Sequence, residues 1–220
     1  MLGLGLGLNK SKFVGSGFTG VLDVLPAAQF GVSYRRLTRD YSGNCSQVIR
    51  SSDSTSQDIG FVANVEDTTS LLSFVGANDG FRSEWYDQSG NTRDASQSTA
   101  ASRPRVVSSG TLDTLGGDIA PYFDGTDDFI GLASDLNVGS VQTMAFKVKF
   151  DGTSNIVSRS NGANYILIQG TNTIRYANGD FNLRWEAVDG VPNITIGERT
   201  IVFVRDGDTV TLYVDGIVWE

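Results

Sequence analysis

Seven residues, Trp85 to Asn91 (WYDQSGN), place two aromatic rings directly before a turn rich in carboxylate, amide and hydroxyl groups. Such a set suits a sugar: a ring stacks on the sugar face while Asp87 and Asn91 bond its hydroxyls. Trp185, followed by Glu186, repeats the pairing farther along. Trp85, Asp87, Asn91 and Trp185 are therefore the candidate glycan contacts. The segment also has an architectural reading, in which Trp85 and Tyr86 end a strand and the side chains of Asp87 to Asn91 bond their own turn. Cleaving a glycosidic bond needs two carboxyl groups, about 5 to 5.5 Å apart for retention and about 6.5 to 9.5 Å for inversion. Glu84, Asp87 and Glu186 are the carboxylates that lie beside rings.

A second acidic constellation is FDGTDDF, with Asp124, Asp127 and Asp128 inside five positions. Calcium takes six to eight oxygens from such groups, although this spacing is not that of an EF-hand loop and Asp-Gly turns with extra acids are common in solvated loops. The chain has no histidine, which removes Ser-His-Asp and Cys-His catalysis, His-ligated metals and imidazole pH switches. The single cysteine, Cys45, forms no internal disulfide and reads as a small apolar residue. Arg50, Arg103 and Arg105 read as paired surface or edge charges. No catalytic residue is assigned.

Composition narrows the class. The chain has 220 residues, 40% hydrophobic and 19% charged, with 26 Gly and 4 Pro. These proportions suit many short strands joined by tight turns. A net charge of −8 with scattered bases gives no footprint for nucleic acid. No apolar run approaches the roughly 20 residues that span a bilayer, so a soluble protein without membrane insertion is expected.

Residues 1–12 form an expected extended N-terminal arm, in which Leu2, Leu4, Leu6 and Leu8 alternate with glycine and line one face of an extended chain. Residues 13–220 form one expected domain. The spacing of Phe30, Tyr34 and Leu37 after Pro26 predicts a short amphipathic helix over 26–40, and Leu71, Leu72 and Val75 predict another over 66–75, capped by Asp67 or Thr68. Beyond Arg103, strand-like segments at 144–150, 165–170, 181–188, 200–206 and 209–216 alternate with turn pairs such as Asp151-Gly152, Asn161-Gly162 and Gly179-Asp180. The expected fold is all-β: a concanavalin A-like antiparallel β-sandwich, or jelly roll, with one or two short helices near the N-terminus.

SYRRLTRDYSG (33–43), VIRSSDSTSQDIGF (48–61), WYDQSGN, RPRVV (103–107) and YFDGTDDFI (122–130) occur in an order that resembles the N-terminal part of the α-L-arabinofuranosidase B catalytic-domain family. They also resemble the version of that segment found in phage virion proteins with a laminin-G-like or concanavalin-like sandwich. The run TIVFVRDGDTVTLYVDG (200–216) is similar to a penultimate hairpin of such sandwiches. The arabinofuranosidase resemblance implies a catalytic acid and nucleophile in a cysteine-containing motif with a Gly-Asn-Ala-Glu core, which this sequence lacks.

The resemblance implies a structural subunit of a tailed-phage virion: a tail fibre, a spike or a capsid-decorating protein. Such a subunit is located in the virion and works by assembly with other virion proteins or with itself as a homo-oligomer. Weak binding of bacterial surface glycan is compatible with that role. The alternatives are a carbohydrate-binding adhesin without an assembly role and a glycoside hydrolase of arabinofuranosidase type. No cofactor is required, calcium at the Asp124 loop being the one candidate ion.

Overall fold

Alternation of apolar and polar residues, with glycine-bearing turns between the runs, makes this chain pair with itself as antiparallel ribbons. The computed structural model describes residues 18–25, 27–132, 141–149, 154–158, 164–169, 173–178, 181–186 and 197–219, and between 154 and 186 it describes the side chains of Thr173 and Ile174 alone. The arm residues Leu2, Leu4, Leu6 and Leu8, Pro26, the three turn pairs at 151–152, 161–162 and 179–180, and the side chain of Trp185 lie outside the described residues.

A short helix α1 (Val21–Val24) precedes β1 (Ser46–Arg50), β2 (Ser56–Ile59), β3 (Phe61–Val62) and β4 (Val65–Glu66). Helix α2 (Thr68–Val75) leads into β5 (Gly80–Trp85), β6 (Ala95–Ser96), β7 (Arg105–Ser108), β8 (Thr111–Leu112), β9 (Thr114–Leu115), β10 (Asp118–Ile119) and β11 (Gly131–Leu132). The remainder comprises β12 (Val141–Lys149), β13 (Ser154–Ser158), β14 (Asn164–Gln169), β15 (Thr173–Asn178), β16 (Phe181–Glu186), β17 (Glu198–Asp206), β18 (Thr209–Val214) and β19 (Ile217–Trp219). The all-β antiparallel architecture expected from the sequence is the one observed, and no helix among the described residues is long and apolar enough to cross a membrane.

The first sheet runs β11-β6-β5-β1-β2, with β7 beside β5 and β8 beside β7. Helix α2 closes this sheet from one side: Leu71 and Val75 are buried against Val48, Ile59, Val106 and Val107. Asp67 caps the helix by accepting from the Ser70 backbone N–H at 3.0 Å. Gly80 lets the helix sit close, since a Cβ there would meet Val75 Cγ2 at 2.9 Å and Val48 Cγ1 at 3.2 Å.

The second half has two four-stranded sheets, β12-β17-β18-β19 and β13-β14-β15-β16. Ile174 of β15 is buried among Ile201, Phe203, Leu212, Val214 and Trp219, so the sheets share one apolar core. Met144, Phe146 and Val148 pack on the same core from alternate positions of β12, the period-2 pattern of a half-buried strand. The 200–216 run forms the expected hairpin, with Asp206 paired to Thr209. Asp215 and Gly216 both take positive φ, 51° and 82°, as a type I′ turn demands.

The helix expected over 26–40 is not observed. Residues 27–40 run as bends and turns, with Arg35 bridging to Val65. Their backbone groups are taken by other partners: Glu66 N–H donates to Tyr34 O (2.7 Å), Arg36 N–H to Asn64 O (2.9 Å) and Leu37 N–H to Gln88 Oε1 (2.7 Å). The spacing of Phe30, Tyr34 and Leu37 is real, but tertiary partners outcompete intrahelical bonds.

Under this segment lies an ion pair with both side chains at 0% exposure. Arg82 Nη1 donates to Glu66 Oε1 at 2.8 Å and Nη2 to Oε2 at 3.2 Å. Ser46 Oγ also donates to Oε1. Tyr34 covers the guanidinium at 5.1 Å and stacks on Trp85 with centroids 4.7 Å apart. Burial opposes the Arg82 charge most strongly, but the Glu66 carboxylate with its hydrogen bond, together with Tyr34 and Cys45, raises the guanidinium's pKa overall. Removing one partner strands the other charge in the interior, which costs about 3–5 kcal/mol. Arg82→Met and Glu66→Leu should therefore each lower the urea unfolding free energy by about that much, and the double variant by clearly less than their sum. Additive losses in a double-mutant cycle would show that the two side chains do not act as a pair.

The Asp67 cap gives a pH signature. Hydrogen bonds from the Ser70 side chain and backbone lower its pKa, so its contribution is present above the ordinary carboxylate pKa and is lost as pH falls through the folded value. Asp67→Ala should cost about 1 kcal/mol at neutral pH. The gap from wild type should shrink on acidification, as followed by thermal melts monitored by circular dichroism.

Candidate functional site

The turn after β5 explains why Asp87 and Gln88 are where they are. Asp87 is 5% exposed. Its Oδ1 accepts from the backbone N–H of Gly31 and Ser89, both at 2.9 Å, and its Oδ2 from Ser89 Oγ (2.7 Å) and Arg93 N–H (3.1 Å). Besides accepting from Leu37 N–H, Gln88 donates through Nε2 to Ser33 O (3.0 Å) and Arg35 O (3.1 Å). Asn91 Nδ2 donates to Ala28 O (2.9 Å) and Gln29 O (3.2 Å). The turn thus supplies side-chain partners to a strap, residues 28–37, that has no ladder of its own.

Beside this turn opens a cleft of about 360 Å³, at the small end of the roughly 300–1,000 Å³ range of ligand pockets. The loop before β1, the β2 edge and the turn after β5 form its walls. The first supplies Tyr41 and Asn44, the second Asp58, and the third Tyr86, Thr92 and Asp94, with Asp87 at the base of that wall. Asp58 sits opposite Gln47 in the β1–β2 ladder. Its Oδ1 accepts from Tyr86 Oη (2.9 Å) and Gln47 Nε2 (3.0 Å), and its Oδ2 from Asn44 Nδ2 (3.2 Å). Tyr41 Oη donates to Asn44 O at 2.8 Å, and its ring folds over Gly43, where an added Cβ would lie 2.6 Å from that hydroxyl. Asp94 Oδ1 accepts the Asp87 backbone N–H at 2.8 Å.

Both phenols stay protonated. Burial, followed by the nearby Asp94 carboxylate, pushes Tyr41 up to about 12. Burial and then the hydrogen bond to Asp58 raise Tyr86 beyond its ordinary range. The two half-buried rings line the cleft together with the carboxylates of Asp58 and Asp94.

Of the residues singled out in the sequence, Asp87 lies in the cleft wall with both oxygens committed to protein donors. Trp85 lies beneath the strap with one face against Tyr34, and Asn91 points its amide at the strap carbonyls. Sequence reasoning missed Tyr41, Asn44, Asp58 and Asp94. The YSGN turn before β1 was the available signal, but only the β1–β2 pairing brings Asp58 to it.

Asp124, Asp127 and Asp128 do converge, with one oxygen of each within 4.8 Å of the others. The loop already uses several of these oxygens: Asp124 Oδ1 accepts from Thr126 N–H (2.8 Å), Asp128 Oδ2 from Asp124 N–H (2.9 Å) and Asp127 Oδ2 from Ser102 Oγ (2.8 Å). Cys45 is buried and its thiol pKa is raised, chiefly by burial. Arg50 and Arg105 pair with Asp53 (2.6 Å) and Asp113 (2.9 Å), whereas Arg103 bonds the carbonyls of Gln97 (2.9 Å) and Ser98 (2.6 Å).

Gln88→Ala should leave the Leu37 N–H and the Arg35 carbonyl without their side-chain partner, and Ser33 O with the Cys45 thiol alone (3.4 Å), at about 1–3 kcal/mol for each buried group left unsatisfied. The expected readout is faster amide hydrogen exchange over 31–37, with the 200–216 hairpin unchanged.

No protein-family model matches the chain, and no curated protein matches it. Three solved structures are similar to it. A GH54 α-L-arabinofuranosidase soaked with a cyclic sulfate inhibitor superposes with a TM-score of 0.63 at 16% identity, over 89% of this chain and 50% of the other. An arabinofuranosidase complexed with arabinofuranosyl-α-1,2-xylobiose gives 0.62 at 16% identity, again over 89% and 50%. A mutant GH54 α-L-arabinofuranosidase soaked with 4-nitrophenyl α-L-arabinofuranoside gives 0.56 at 13%, over 84% and 47%. The chain spans about half the length of these proteins, and at such identities the likeness establishes a shared β-sandwich fold.

Proposed function

We propose that the chain is a glycan-binding β-sandwich that recognises carbohydrate without cleaving it. The observation that carries this reading is the cleft in which Tyr41 and Tyr86 stand beside Asn44, Asp58 and Asp94, the combination of ring and polar clamp that sugar recognition uses. The shared fold supports it, since one similar structure is complexed with arabinofuranosyl-α-1,2-xylobiose and another was soaked with 4-nitrophenyl α-L-arabinofuranoside, but a fold by itself does not determine function. Hydrolysis is the weaker reading. A general acid must carry a proton to the leaving oxygen, whereas Asp58 accepts from three side chains and Asp87 from four donors. The catalytic motif implied by the resemblance is also missing from the sequence. Titration calorimetry against a panel of arabinofuranosyl and hexosyl oligosaccharides should show saturable binding that Tyr86→Ala weakens about tenfold, or ~1.4 kcal/mol. Binding that is indifferent to Tyr86→Ala and Tyr41→Ala would remove the cleft as the site.

Assembly in a phage virion is a second, compatible reading. It rests on the sequence resemblance and on one surface observation. Val21, Val24 and Leu25 of α1 and its end are 50%, 67% and 57% exposed. Exposed apolar groups of this kind suit contact with a partner. Light scattering should show a defined oligomer that dissociates when residues 1–12 are deleted; a mass unaffected by the deletion would count against assembly through the arm.

A further inference from the structure

The hydrogen-bonding capacity left in the cleft is one-sided. Tyr41 Oη–H is spent on Asn44 O, Tyr86 Oη–H on Asp58, and Thr92 Oγ1–H on Asn91 O (2.8 Å). One N–H of Asn44 goes to Asp58, which leaves a single side-chain N–H unspent. Acceptors remain: Asp94 has one oxygen without a hydrogen-bond partner among the described residues, and Asp58 keeps spare lone pairs. No Lys or Arg lines the cleft. The flanking bases point elsewhere, Arg93 to Gln29 and Arg39 to Phe18 O and Thr19. The side chains of the cleft therefore favour an occupant that arrives as a donor.

Resting on the glycan-binding reading above, we propose that the cleft selects by charge, preferring sugars with a free protonated amine over their N-acetylated forms and rejecting uronates. An ammonium supplies three donors and a positive charge to Asp94 and Asp58, and the tyrosine rings favour a cation near their faces. Acetylation removes the charge and two of those donors. A uronate brings a second negative charge toward carboxylates that have no base to offset it.

The test is calorimetric titration of the full chain with β-1,4-linked glucosamine disaccharide, its di-N-acetylated form and a uronate disaccharide, at mildly acidic pH where the amine is protonated. The amine form should bind about tenfold tighter than the acetylated form, the gap should narrow at ~1 M salt, and the uronate should not bind. Asp94→Asn keeps the acceptor for the Asp87 N–H and should abolish the preference. Asp208→Asn, in the β17–β18 turn, removes the same charge outside the cleft and should leave the preference intact. Equal or tighter binding of the acetylated form, or equal losses in the two variants, overturns the charge proposal while the glycan-binding reading stands. Failure of all three sugars and of the neutral panel overturns both.

Discussion

The buried Glu66–Arg82 pair is the constraint on which the first half of the molecule depends. Two full charges at zero exposure are tolerable only when each is met by good geometry and further hydrogen bonds. Here the carboxylate is gripped by the two terminal guanidinium nitrogens and by Ser46, and the guanidinium is roofed by Tyr34. Those four residues come from β4, β5, β1 and the strap. Seating the pair therefore fixes how the short β3–β4 hairpin, the central strands and the strap lie together. The cleft inherits this order, because its walls are the loop that follows the strap, the edge of the sheet and the turn that follows Arg82's own strand.

The two halves hold together by different physics. The second half is a sandwich in which alternate residues of β12, β17 and β18 share an apolar core with Ile174. Its two described hairpin turns place Gly207, Asp215 and Gly216 at positive φ. The first half has an apolar core beneath α2, but residues 27–44 have almost no ladder, and a buried backbone without partners is costly. Side chains satisfy it instead: Asp87, Gln88 and Asn91 act as cross-ties from one turn to a segment more than fifty residues away in sequence.

That division bears on function. The polar, side-chain-tied half presents the cleft, where aromatic rings and carboxylates are held by neighbouring residues. The pairs Tyr86–Asp58 and Tyr41–Asn44 fix the positions of the two phenols, and such pre-ordering lowers the entropy cost of any binding there. The shared fold does not decide the chemistry, which depends on which groups line this chain's own cleft.

The sequence by itself determined the local features whose signals are short-range. The period-2 strands and Asp-Gly turns of 200–216, the Asp67-capped helix over 68–75 and the turn at Asp87–Asn91 all follow from neighbours within a few positions. Tertiary structure alone decided the rest. The apparent helical spacing of Phe30, Tyr34 and Leu37 was overridden, because Gln88, Asn64 and Glu66 claim the backbone groups a helix would have used. Asp87 and Asn91, readable as sugar contacts, became structural ties once the strap's unpaired backbone lay within their reach. Asp58 acquired its place beside Tyr86 only through the β1–β2 register, a long-range pairing that no local pattern encodes.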